Sequence, residues 1–117
     1  MRTARFDEMT RGWFVGGFSP AALVTEACEV AVKHYKAAEK EALHTHRVAT
    51  EVTLILHGSV RMAGREWHEG DIVVLEAGEI TDFEAITACT TVVVKVPGAR
   101  DDKYLVSTPL ASSARAR

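Results

Sequence analysis

Two histidines and one glutamate in the middle of the chain have the types and the spacing of metal ligands. His44 and His46 are two positions apart, so on an extended strand both side chains point to one face, with α-carbons roughly 6–7 Å apart. Glu51 follows five positions later, an odd step that would aim it at the opposite face of one continuous strand. A turn or bulge over residues 47–50 would return it to the same face on a neighbouring strand. Two imidazoles and a carboxylate around one point can bind divalent Fe, Mn, Ni, Cu or Zn. The alternative interpretation is that the two histidines simply lie at a solvent-exposed strand end and bind nothing.

The size and composition of the chain indicate one globular domain. Its 117 residues are 47% hydrophobic and 26% charged, which suits a single modest core. The formal net charge is −2 and the basic residues are scattered, so no nucleic-acid partner is expected. No apolar run approaches the ~20 residues of a membrane helix, and the N-terminus lacks the apolar core of a secretory signal. We therefore predict a cytoplasmic protein without a membrane partner, in which Cys28 and Cys89 are buried free thiols.

Short runs rich in Val, Ile and Thr, separated by turns that contain glycine, predict an all-β fold. The predicted strands are residues 29–36, 51–57, 59–62, 72–76, 81–87 and 90–96. Ala63 and Gly64 predict a tight hairpin turn. Residues 37–42 have a helix-forming composition, but so short a segment between strands is expected to form a loop. Many short strands in a small chain favour a closed barrel or a sandwich, because both hide strand edges.

The pattern His44-x-His46-x4-Glu51-x6-Gly58 resembles the first motif of the cupin superfamily, and residues 70–78 resemble the start of its second motif. The resemblance covers most of the predicted strands. It implies a small single-domain bacterial cupin, whose β-barrel is a jelly-roll-like double-stranded β-helix. It also implies that His44, His46 and Glu51 are the metal ligands.

One ligand position of the cupin motifs is changed in this chain. Thr81 stands where cupins usually carry a further histidine, and a neutral threonine hydroxyl is a poor ligand for a transition metal. Three protein ligands plus water still suffice for a catalytic metal. The resemblance therefore implies a divalent transition metal with three ligands from the protein.

Several other side chains are candidates for the pocket of such a barrel. His34 shares the strand parity of the valines before it, so it is predicted to face the interior. There it would be a pocket base, a replacement metal ligand or a substrate contact, and a satisfied core or rim histidine is the alternative. Thr81 and Phe83, in the second-motif segment, are assigned with it to substrate binding. Lys33 and Lys95 interrupt apolar strands, where a lysine usually extends outward; an inward lysine would anchor a carboxylate or a phosphate.

Two kinds of function fit these features. The first is a metal-binding enzyme in which the metal acts as a Lewis acid on a sugar or a small acid, as in isomerases, epimerases and lyases, or as the Fe(II) of a dioxygenase. The second is a non-catalytic ligand-binding or regulatory module with a degenerate metal site, favoured by Thr81 and by the absence of an obvious acid–base pair. Resemblance to small cupins of sugar and polysaccharide metabolism supports a sugar-related ligand, but cupins host many activities.

The ends of the chain are predicted to lie outside the barrel. We expect residues 1–26 to pack on the barrel or on a partner subunit, residues 27–106 to form the barrel, and residues 107–117 to be a flexible tail. Trp13, Phe14 and Phe18 lie in the first segment and offer apolar surface that the barrel core does not obviously use. Because two-fold dimers are the commonest homo-oligomers, a homodimer with residues 13–18 at its interface is expected.

Overall fold

Residues 1–107, which the computed structural model describes, form two five-stranded antiparallel sheets. A short 3-10 helix, Phe6–Glu8, precedes the strands. The strands are β1 (Trp13–Val15), β2 (Glu29–Tyr35), β3 (Lys40–Thr45), β4 (Thr50–His57), β5 (Ser59–Met62), β6 (Arg65–His68), β7 (Ile72–Leu75), β8 (Ile80–Ala85), β9 (Cys89–Val96) and β10 (Tyr104–Leu105). The first sheet has the order β1-β2-β9-β4-β7 and the second has the order β10-β3-β8-β5-β6. No helix among these residues is long and apolar enough to cross a membrane.

All six predicted strands are present, and the loop prediction for residues 37–42 is wrong from Lys40 onwards. Lys40 and Glu41 pair with Glu84 and Phe83 of β8, so partners in the sheet override the helix-forming composition of the segment. The predicted hairpin at Ala63 is confirmed, because β5 and β6 pair antiparallel on either side of it. The predicted tail, residues 107–117, lies outside the described residues apart from Ser107.

The apolar core fills one part of the space between the two sheets. Eight buried side chains from both sheets form its main cluster: Ile55, Val60, Met62, Val73, Leu75, Phe83, Ala85 and Cys89. Cys89 and the half-buried Cys28 are both free thiols. The remaining space between the sheets is open and lined mainly by polar residues, so the barrel combines a packed end with a hollow one.

The outer face of the first sheet is covered with aliphatic side chains. Two complete cross-strand rows run over β2, β9, β4 and β7. One row is Val30, Val94, Val52 and Val74, and the next is Val32, Val92, Leu54 and Ile72. The outer face of the second sheet is charged instead, with Arg61 placed 2.7 Å from Glu66 and 3.7 Å from Glu84. Of the two sheets, the first therefore presents the continuous apolar surface.

The N-terminal segment contributes an edge strand to the first sheet. Trp13 of β1 is the register partner of Ala31 of β2, and its ring stacks on Phe18 with 5.3 Å between the ring centroids. Trp13 is only 7% exposed, so its own chain already covers it. The small Ala31 leaves room for the indole on the inner face. This packing removes the reason for placing Trp13 at a subunit interface.

Gly58, the glycine of the first motif, is required by its surroundings. Its φ is +88°, and an added Cβ would collide with the Ala88 carbonyl oxygen and lie 2.8 Å from the Cβ of Cys89. Gly70 has a similar φ of +91°, but an added Cβ there would meet nothing within 4 Å. Alanine substitutions at the two glycines therefore distinguish the cost of a positive φ from the cost of a collision with neighbouring atoms.

We expect Gly70→Ala to lower the free energy of unfolding by about 1–2 kcal/mol, the usual cost of left-handed backbone for an L-residue. Gly58→Ala should lose about 1–3 kcal/mol more, because a collision with main chain adds to that cost. Urea denaturation of the two variants measures the difference. Equal losses would show that the contact with Ala88 and Cys89 is not what requires this glycine.

Candidate metal centre

The structure brings the three predicted metal ligands together at the hollow end of the barrel. His44 lies on β3, His46 follows the last residue of that strand, and Glu51 is the second residue of β4. One ligand atom from each residue lies within 4.8 Å of the other two, and all three side chains are buried. The turn over residues 46–49 places the histidines and the glutamate on neighbouring elements that face the same point.

Main-chain carbonyl groups hold both imidazoles in the orientation that a metal requires. The Nδ1–H of His44 donates to the Ala42 oxygen at 2.8 Å, and the Nδ1–H of His46 donates to the Asp102 oxygen at 2.9 Å. These bonds fix the tautomer in which the Nε2 lone pair is free to ligate. The third ligand is oriented too, because the Thr53 hydroxyl donates to Oε2 of Glu51 at 3.1 Å.

The contact between His46 and Glu51 fits a bound cation. Nε2 of His46 lies 3.1 Å from Oε1 of Glu51. When the ring is neutral and Nδ1 carries the proton, the lone pair of Nε2 faces a carboxylate oxygen. Two acceptors then meet without a hydrogen between them, so neither atom has a hydrogen-bond donor in this contact. A divalent cation between them accepts both electron pairs. The donor set of two nitrogens and one oxygen suits a borderline transition metal.

The charges of the ligands also match metal binding. Burial lowers the pKa of His44, which keeps this imidazole neutral near pH 7. Burial acts to raise the pKa of Glu51, but the close contact with His46, the charge of Lys95 and the hydrogen bond from Thr53 outweigh it, so this pKa is lowered. A neutral imidazole and an ionised carboxylate are the forms that ligate, so little proton release opposes binding at neutral pH.

Asp102 organises the turn between the ligands, and the sequence analysis did not identify this role. Its carboxylate accepts the main-chain N–H groups of Arg47 at 3.0 Å, Val48 at 3.1 Å and Ala49 at 2.9 Å. Burial acts to raise the pKa of Asp102, but these three N–H donors outweigh it and hold the pKa below its usual range. No local signal in the sequence marks this residue, because its partners lie 53–55 positions earlier.

The ligand cluster opens into a cavity of about 700 Å³, which is large enough for a small-molecule substrate. Thr81 and Phe83, which were assigned to substrate binding from the sequence, both line this cavity. Thr81 is the register partner of His44, but its hydroxyl donates to the Asp82 oxygen at 2.7 Å and it is not part of the ligand cluster. Phe83 also packs on Tyr35, with 4.4 Å between the ring centroids.

His34 does not face the cavity, so the prediction of an interior position is wrong. It is exposed, and its Nδ1 lies 3.0 Å from the hydroxyl oxygen of Thr90. The residues of β2 that point inward are those at the alternate positions of the strand: Glu29, Ala31, Lys33 and Tyr35. The valines that share the parity of His34 belong to the apolar outer face. Their hydrophobicity therefore led to the wrong prediction of which face of the strand points into the barrel.

Lys33 and Lys95 line the cavity, contrary to the expectation that they extend outward. The Lys33 ammonium donates to the Arg11 oxygen at 2.8 Å. Burial is the main cause that lowers the pKa of Lys33 to about 8. Lys95 lies between two acids in one cross-strand row, because both Glu29 and Glu51 are its register partners.

Glu29 supplies an ionisable group that the sequence analysis did not find. It lines the cavity and is 4% exposed. Burial raises its pKa, although the charge of Lys95 and a main-chain hydrogen bond from Ala99 act against this. Its place in the cavity and its raised pKa make Glu29 a candidate general acid–base.

Comparison with known proteins identifies the fold. No family model and no curated protein matches the sequence. Solved structures do match: an uncharacterised conserved protein with a double-stranded β-helix domain from Klebsiella pneumoniae is 19% identical, with a TM-score of 0.69, over 92% of this chain and 99% of that one. An RmlC-like cupin from Shewanella frigidimarina is 17% identical, with a TM-score of 0.58, over 67% of this chain and 72% of that one.

A third similar structure is oxalate decarboxylase from Bacillus subtilis, a protein with Mn(II) centres. It is 20% identical to this chain, with a TM-score of 0.59, and the match covers 76% of this chain but 26% of that protein. Together with the two antiparallel sheets, these similarities show that the chain has the fold of a small cupin, a double-stranded β-helix. The fold predicted from the motifs is confirmed.

We expect Asp102→Asn to loosen the turn that carries the ligands. Replacing the charged acceptor should lower the free energy of unfolding by about 2–3 kcal/mol at pH 7 and should weaken metal binding by about 10–100-fold. Asp101→Asn, a change in the exposed neighbour, is the matched control and should do neither. Chemical denaturation and metal titration measure both effects.

The stability effect of Asp102 should depend on pH in a defined direction. Because the folded-state pKa is depressed, the stabilisation is present above the unfolded value of 3.8 and is lost as the pH falls through the folded-state pKa. The difference in unfolding free energy between the wild type and Asp102→Asn should therefore shrink in acid. A difference that stays constant over this range would contradict the role of the ionised carboxylate.

Proposed function

We propose that this protein is a metal-dependent cupin that acts on a small oxygenated molecule such as a sugar or a small acid. The observation that carries the proposal is the buried cluster of His44, His46 and Glu51 beside a cavity of substrate size. The oriented Nε2 atoms and the unsatisfied contact between His46 and Glu51 support a divalent transition metal as the cofactor. The Mn(II) centres of oxalate decarboxylase, which has the same fold, agree with such a metal.

The groups around the cavity favour proton-transfer chemistry. A bound metal would supply Lewis acidity to oxygen atoms of the substrate. Glu29 lies in the same cross-strand row as Glu51 and two strands away, about 10 Å between backbones at the usual strand spacing. A substrate held next to the ligands is therefore within reach of a carboxyl group that can move a proton. This arrangement supports an isomerase, epimerase or lyase rather than an Fe(II) dioxygenase.

A ligand-binding module without catalysis is the second candidate, because Thr81 leaves only three protein ligands in the cluster. The two candidates differ in what they require of Glu29. In an enzyme, Glu29→Gln should remove turnover and leave ligand binding intact. In a binding module, Glu29 has no reaction to support, and substitution should alter affinity alone.

We expect His46→Ala to abolish stoichiometric binding of a divalent transition metal, with a loss of affinity of more than about 100-fold, while the barrel stays folded. His34→Ala removes an exposed strand histidine outside the cavity and should leave the metal content unchanged. Elemental analysis after dialysis against metal, with circular dichroism as the check of folding, measures both variants. Equal metal content in the two would refute the proposed ligands.

We propose further that the protein is a homodimer that buries the two aliphatic rows on the outer face of its first sheet. Eight aliphatic side chains without a charge among them form a self-complementary surface, which suits a two-fold contact with a second copy. The charged outer face of the second sheet would stay in water. This interface replaces the one expected at residues 13–18, since the Trp13 side chain is buried against other residues of its own chain.

Val74→Asp should convert the dimer into a monomer, because a two-fold interface buries two introduced carboxylates, one from each copy. Ile80→Asp is a matched control on the other sheet, since the exposed fractions of Val74 and Ile80 are 53% and 50%. Light scattering at micromolar concentration measures the masses. A monomeric wild type would refute the dimer, and a dimer lost equally in both variants would refute this interface.

A further inference from the structure

Two lysine side chains converge on one tryptophan inside the cavity. The ammonium nitrogens of Lys33 and Lys95 lie 4.9 Å and 5.1 Å from the centroid of the Trp13 ring. Both distances are within the range of cation–π attraction, which holds the two side chains over the indole. Trp13 itself is held by stacking on Phe18, so the ring is a fixed platform. The result is a concentration of positive charge on one wall of the cavity.

These ammonium groups lack a carboxylate partner within the described part of the chain. No carboxylate oxygen of residues 1–107 lies within 4.0 Å of either nitrogen. Of the acids beside Lys95, Glu51 is directed elsewhere, to His46 and Thr53. Two partly buried cations without a carboxylate in direct contact are costly to hold, and a bound anion offsets that cost.

We propose that Lys33, Lys95 and Trp13 form a subsite that binds the carboxylate group of the substrate. The inference deepens the proposed function, on which it rests for the position of the rest of the substrate. Lys95 and Glu51 are register partners on adjacent strands, so the subsite lies next to the metal ligands. A substrate that places its oxygen atoms at the metal therefore extends its carboxylate towards the lysines.

The other charges of the cavity favour a single negative charge over a phosphate dianion. The cavity is lined by five basic side chains, Arg11, Lys33, Lys95, Arg100 and Lys103, and by six acidic ones, Glu29, Glu41, Glu51, Asp82, Asp101 and Asp102. Because the acids are in excess, a dianion would meet stronger net repulsion than a monoanion does. The two oxygens of one carboxylate can each accept a hydrogen bond from one of the two ammonium groups.

The experiment compares carboxylates with their uncharged counterparts on the full-length, metal-loaded protein. The pairs are glycolate with ethylene glycol and gluconate with sorbitol, and inorganic phosphate is the third arm. Calorimetric titration should show that the carboxylate of at least one pair binds more tightly than its uncharged counterpart and more tightly than phosphate.

Lys33→Met and Lys95→Met preserve the aliphatic packing on Trp13 and should each weaken that binding about tenfold or more. Lys36→Met, an exposed lysine just after β2, is the matched control and should change nothing.

The outcomes separate this inference from the proposed function. Preference for phosphate, absence of binding by both carboxylates, or equal affinities in the Lys33→Met and Lys36→Met variants would overturn the carboxylate subsite. Metal analysis of the same samples tests the other proposal independently. If the protein binds no metal and the carboxylate still depends on Lys33 and Lys95, the metal-dependent function is wrong and the subsite stands. If metal binds and the carboxylate does not, the subsite alone is wrong.

Discussion

The ligand geometry depends on the hydrogen bonds that Asp102 makes to the turn between β3 and β4. Its carboxylate accepts hydrogen bonds from three consecutive main-chain N–H groups, and its main-chain carbonyl oxygen accepts a hydrogen bond from the Nδ1–H of His46. Without these bonds the turn would leave one buried and two part-buried main-chain donors without partners, a cost that main-chain groups in proteins seldom bear. One residue near the end of the barrel thus sets both the orientation of an imidazole and the position of Glu51.

The first sheet has an inner face rich in polar groups and an outer face of aliphatic residues. Along β2, β9 and β4, the positions that line the cavity include Glu29, Lys33, Lys95, Glu51 and Thr53. Because charged groups inside a barrel need partners, this arrangement is stable only where each carboxylate or ammonium has a hydrogen bond, a neighbouring charge or a ligand. The packed cluster at the other end supplies the hydrophobic stabilisation that the hollow end lacks.

The parts of the fold and site that depend on short sequence distances could be predicted, and those that depend on long-range contacts could not. The ligand trio and most strand bounds follow from local spacing and β-propensity. His34 and Lys33 were assigned to the wrong faces because aliphatic alternation usually marks the interior, whereas here it marks the outer surface. Asp102 carries no local signal, since an aspartate in a loop is ordinary until its distant partners are known.

The position of Trp13 has a practical consequence for following the cavity in solution. The chain has two tryptophans, and the second, Trp67, lies on β6 with its indole N–H bonded to the Met62 oxygen at 2.8 Å. Only the Trp13 ring lies beside the cavity cations, so an anion that neutralises them changes the electric field at that indole. After replacement of Trp67 by phenylalanine, the protein's own fluorescence becomes a label-free optical reporter of what enters the barrel.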